Sequence, residues 1–157
     1  MSQYPLFFAY RDYIYGNGFL ADVTSHGRIL CVEEEGEVWV YGVEPGGLAA
    51  SGNTVKEALR AYRTTFTNIL VDLAADAGSL DAFRDVVRAS FHEVNASFES
   101  DWKAAVEAVR AGTISLADTP TENADTARCY VEVALANQAM FSPKDNRPAK
   151  LHTALAA

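Results

Sequence analysis

The chain has 157 residues, nearly half of them apolar and 22% charged, with a net charge of −8. That is enough for one domain with a real core, and too little positive charge for a dedicated nucleic-acid surface, since phosphate binding needs clustered Lys and Arg. No apolar run approaches the length that crosses a membrane as a helix, and "MSQYPLFFAYRDYIYG" lacks the basic start of a signal peptide. A cytoplasmic chain with no membrane association is expected.

Residues 6–24 read as a hairpin. "LFFAYRDYIY" is dense in aromatic residues, "FLADV" follows, and Gly16-Asn17-Gly18 between them supplies positive-φ positions for a tight turn. A third strand, Arg28 to Glu34, is expected to enter through a turn at His26-Gly27. Glu34–Glu37 then turns the chain into "EVWVYGV", where Val38, Val40 and Gly42 alternate with Trp39, Tyr41 and Val43. Both faces of that strand are apolar, so each is either covered or makes a contact outside the domain. Pro45-Gly46-Gly47 ends it, and "LAAS" predicts a short further strand.

Thr54-Val55-Lys56-Glu57 is a T-x-x-E capping box, in which the Glu57 carboxylate is expected to reach back to the Thr54 N–H. Val55, Ala58, Leu59, Tyr62, Phe66, Ile69, Leu70 and Leu73 then recur at helical spacing, so a helix runs from there to near Gly78. Ser79 or Asp81 caps the next segment. Phe83, Val86, Val87, Phe91, Val94, Phe98, Trp102, Val106 and Val109 form one broad stripe, which predicts a long and bent helix over 79–111, stopped by Gly112. A break near Ser97–Ser100 is the alternative. "RCYVEVALA", 128–136, alternates as a last strand. The tail 137–157 carries Pro, Lys and Asn and is expected to be loosely ordered.

Tests for chemistry come out negative. His92-Glu93-Val94-Asn95-Ala96 begins like a zincin helix, but Ala96 stands where the second imidazole is needed. Cys31 and Cys129 are distant and form no CxxC, so free thiols are expected. No P-loop or nucleophile elbow occurs. The expectation is no catalytic residue, no metal and no cofactor. Tyr10, Tyr13, Tyr15, Trp39 and Tyr41 lack the basic neighbours of a base-stacking platform and read as core or protein interface. Glu33, Glu34, Glu35 and Glu37 cluster at one turn, and residues 1–52 hold only Arg11 and Arg28 against seven acidic residues. Such a surface suits a basic partner.

The segment "GRILCVEEEGEVWVYGVEPGGLAASGNTVKEALRAYRTTF" resembles the N-terminal domain of HicB-like antitoxins. Pro45-Gly46 matches the Pro-Gly at the strand end, Gly52-Asn53-Thr54 the helix start with Asn for Asp, and Glu57-Ala58 the Glu-Ala of the amphipathic helix. "YVEVALA" resembles the later strand that returns to the sheet beside the first. The resemblance implies an α+β fold: a mainly antiparallel sheet of about four to five strands, an amphipathic helix packed on one face, and here a long added helical segment. The domain would span 1–136, with its core at 28–77. The resemblance also implies a non-enzymatic protein that binds and blocks a small basic mRNA-cleaving toxin. The residues after 136 are too few for a helix-turn-helix, so DNA binding is not expected. The expected contact residues are Glu33, Glu34, Glu35, Glu37, Trp39 and Tyr41. The alternative is a stand-alone module that self-associates as a homo-oligomer or takes a small ligand, with no toxin partner.

Overall fold

The computed structural model describes residues 2–114, 121–124, 127–136 and 152–156. The fold is α+β. Strand β1 (Ser2–Tyr15) turns through Gly16–Phe19 into β2 (Leu20–Glu34), and β3 (Glu37–Glu44) and β4 (Gly46–Gly52) follow as further antiparallel neighbours. Three helices come next: α1 (Val55–Asp76), α2 (Leu80–Phe91) and α3 (Ala96–Arg110). Strand β5 (Thr121–Glu122) is minimal, β6 (Tyr130–Leu135) pairs with β2, and β7 (His152–Ala156) pairs with β1. The strand order is β4-β3-β2-β1-β7-β5, with β6 beside β2.

The first hairpin forms where its glycines allow, with Gly18 at φ 79° and the Gly16 N–H donating to the Phe19 carbonyl at 2.9 Å. The expected second turn at His26-Gly27 does not exist. Strand β2 pairs with β1 without a break from Leu20 to Glu33, so it is one strand, and the register shift against β3 between Arg28 and Ile29 leaves Val43 of β3 as the extra residue. Its lower half, Ala21–His26, pairs with β6, and its upper half, from Arg28 to Glu34, pairs with β3 on the same edge. Gly27 sits where the two partners meet. A Cβ there would lie 2.5 Å from the Glu44 carbonyl oxygen, so this glycine serves close approach and not reversal.

The pleat divides the side chains between two layers. Leu6, Phe8, Tyr10, Val23, Ile29, Cys31 and Val40 face α1 and α2. Phe7, Leu30, Val32 and Val43 face α3. The sheet is therefore covered on both faces, the first of the two outcomes that the apolar faces of β3 left open. Helix α1 buries Ala58, Leu59, Tyr62, Phe66, Leu70 and Ala74, a clean i, i+3/i+4 stripe, while Ile69 falls beside it and stays 37% exposed. Its cap matches the motif with one change: the Thr54 hydroxyl accepts from the Glu57 N–H at 3.1 Å, but the Glu57 carboxylate accepts from the Asn53 N–H at 2.9 Å, not from Thr54. In α2, the Arg84 Nε–H donates to the Val133 carbonyl at 2.9 Å and ties the helix to β6.

The long helix expected over 79–111 is two helices on opposite sides of the sheet. Helix α2 ends at Phe91, and His92–Asn95 carries the chain past the end of β3. There the Gly46 N–H donates to the Glu93 carbonyl at 2.7 Å and the Asn95 N–H to the Val43 carbonyl at 3.0 Å. The Asn95 side chain then caps α3 by accepting from the Phe98 N–H at 3.2 Å. The break thus precedes Ser97–Ser100. The tail expectation is corrected at His152–Ala156, whose backbone pairs with Leu6–Ala9; residues 137–151 and 157 lie outside the described residues.

Candidate functional site

The β2–β3 turn presents the acidic cluster, but not as one surface. Glu35 adopts φ 50° at the tip and is exposed, as is Glu37. Glu34 pairs directly across from Glu37, and Glu37, Trp39 and Tyr41 follow the same face of β3 by the pleat. Glu33 points to the opposite face, where its charge adds to burial in pushing the Cys31 thiol up to about 12. Of the six residues expected to make contact, the structure brings four together: Glu34, Glu37, Trp39 and Tyr41. The Trp39 Nε1–H donates to the Glu37 carboxylate at 3.2 Å. The Trp39 and Tyr41 rings stack at 5.8 Å between centroids and 11° between planes, and Tyr41 stacks in turn on Phe98 at 4.6 Å. Desolvation first, then the charges of Glu34 and Glu37, raise the Tyr41 phenol above its ordinary value. The result is a three-ring ladder, anchored on α3 at one end and running into carboxylates at the other.

Other aromatic candidates disperse. Tyr10 is buried against α1 with its hydroxyl 2.8 Å from Thr67 Oγ1, while Tyr15 is 74% exposed at the far end of the hairpin. His26 lies mid-strand, stacked between Phe7 and Tyr130 at 5.1 and 6.0 Å.

A second constellation was not foreseen. Arg28 lies under α3 and donates through Nη2 to Glu44 at 3.0 Å and Glu99 at 3.1 Å, with its guanidinium carbon 5.2 Å from the centre of the Trp102 ring. Glu44 also bonds His92 Nδ1 at 2.9 Å. Burial pushes the Glu44 carboxyl up, but the His92 and Arg28 bonds and the Arg28 charge outweigh it and hold it below the usual range. Cys129 adjoins this pair, and burial foremost, then the Glu44 charge, pushes its thiol up to about 11. At neutral pH it is a protonated thiol, not an activated nucleophile. These residues come from β2, β3, α3 and the segments before α3 and β6, too far apart for any local motif. The one available signal was Arg28 itself, a cation opening the apolar strand "RILCV".

Beside the network lies a cleft of ≈ 660 Å³ bounded by Phe7, Trp102, Val106 and the Ala127–Cys129 segment. Among the described residues, no group of three or more His, Cys, Asp or Glu side chains is arranged to hold a metal, and no helix is long and apolar enough to cross a membrane. Comparison with protein-family models, curated proteins and solved structures finds no match.

Proposed function

We propose that this chain is a non-enzymatic, HicB-like binding protein that takes a small basic protein against the β2–β3 turn and the Trp39–Tyr41 strip. By the resemblance, the partner would be an mRNA-cleaving toxin held in a sequestered state. The observation that carries the reading is the juxtaposition of Glu34 and Glu37, directly opposed across the turn, with the stacked Trp39–Tyr41–Phe98 ladder. Like charges facing each other across a hairpin cost up to about 1 kcal/mol. A Lys or Arg from a partner would relieve that repulsion, and the adjoining rings supply flat apolar area of the kind enriched in interfaces.

The test is affinity capture from the native host at low and moderate salt, with mass spectrometry of what co-purifies. A small basic protein released as salt rises supports the reading, because screening shortens to about 8 Å at physiological ionic strength. A companion that is acidic, or whose retention ignores salt, would sink it.

One observation favours a second reading, self-association. Strand β4 stands at the end of the sheet order, and "GGLAASG" carries no charge and no internal proline to guard its outer edge. Two copies pairing along β4 would form a two-fold dimer. A dimer by sedimentation that Ala49→Pro or Ser51→Pro converts to monomer, with no basic companion captured, would select this reading over the first.

A further inference from the structure

The cleft beside Arg28 differs in sign from the rest of the molecule. In a chain of net charge −8, Lys103, Arg110 and Arg128 stand around its mouth and Arg28 in its wall, against the acids Glu44 and Glu107 among the described lining residues. Both acids are already engaged: Glu44 by Arg28 and His92, and Glu107 by Arg110 at 2.8 Å. Lys103 reaches Glu99 only at 3.7 Å with its side chain 68% exposed, and Arg128 is exposed. The inner wall is apolar, built from Phe7, Trp102 and Val106. Trp102 is 5% exposed, and its indole Nε1–H is buried with no hydrogen-bond partner among the described residues. The volume falls within the range of about 300–1,000 Å³ typical of small-molecule sites.

We propose that this cleft binds a small organic anion. A carboxylate or phosphate headgroup would lie between Lys103 and Arg128, and a flat apolar body would lie against Phe7, Trp102 and Val106. The charge-assisted bonds fix the headgroup, and the wall removes the body from water. The cleft lining shares no residue with the Trp39–Tyr41 strip, so the proposal does not rest on the protein partner.

The chain has two tryptophans, so Trp39→Phe leaves Trp102 as the sole indole reporter. That protein is titrated at low salt with phenyl phosphate, benzoate and neutral benzyl alcohol, following indole fluorescence. The expected result is a saturable change with at least one anion, binding about tenfold or more tighter than the alcohol and weakening as salt rises. A preference for phenyl phosphate assigns the headgroup as phosphate, and the reverse preference as carboxylate. Lys103→Ala with Arg128→Ala is expected to weaken binding about tenfold; both side chains are exposed, and an unchanged Tm shows that the fold persists. No saturable response to either anion, an equal response to benzyl alcohol, or salt-independent affinity unaltered in the double variant would each overturn the proposal.

Discussion

The two faces of the sheet are built from the same strands but hold different kinds of material. Against α1 and α2 the contacts are almost wholly apolar, with Phe8, Tyr62, Phe66, Phe83 and Val87 at or below 5% exposure. Against α3 the buried set is smaller, and half-buried charge joins it: Arg28 with Glu44, Glu99 and His92. The pleat makes this possible, because adjacent residues such as Phe7 and Phe8 enter different layers. One layer stabilises the domain by removing apolar area from water. The other gives up some of that gain by placing charge beside its rings.

That contrast can be tested by substitution, and the largest effect is expected on the apolar face. Phe83→Ala leaves a cavity under α2 and is expected to cost about 3–5 kcal/mol, read from urea denaturation. On the α3 face, Arg28→Met removes the shared cation and leaves two carboxylates together; a loss of about 2–3 kcal/mol is expected, below a fully buried pair because Glu99 is partly solvated. The split sharpens if the Arg28 loss is much the smaller, and breaks if the two are equal.

Glu44 gives that face a pH dependence. Its folded pKa lies below the ordinary glutamate value, so its contribution is fully present above that value and is lost as pH falls through the depressed one. Glu44→Gln should therefore be less stable by about 1–2 kcal/mol at neutral pH, with the deficit shrinking as the solution is acidified. Thermal denaturation from pH 7 to pH 3 reads this directly; a deficit that stays constant would mean that Glu44 is not tied to Arg28 and His92 as described. A smaller effect is expected at the crossing between the faces, where Asn95→Ala removes the α3 cap at a cost of about 1 kcal/mol.

The same division explains what the sequence disclosed. Strand alternation, the Thr54 cap and the α1 stripe are local patterns, and they led to the α+β sheet and the first helix. The α2–α3 break was hidden because Phe91, Val94, Phe98 and Trp102 keep helical spacing across it, and "HEVN" holds neither Gly nor Pro. What stops the helix is tertiary: the Gly46 and Asn95 N–H groups bond across the linker and β3. The His26-Gly27 turn was misread because glycine marks close approach as well as reversal. At the candidate site, the acid cluster and the two rings were visible as runs along the chain, and the pleat then separated Glu33 from Glu34. The Arg28 network joins residues 28, 44, 92, 99 and 129, which no window of sequence brings together.

The central claim is that the turn and strip serve contact and not stability. It is tested most directly with the combined variant Glu33→Gln, Glu34→Gln, Glu35→Gln and Glu37→Gln, compared with the parent in Tm and in capture of the basic companion. The account predicts a Tm unchanged or slightly raised, since mutual repulsion is removed, together with loss of the companion at a salt concentration where the parent retains it. A variant that captures the same companion with undiminished salt sensitivity, or one that unfolds, would contradict it.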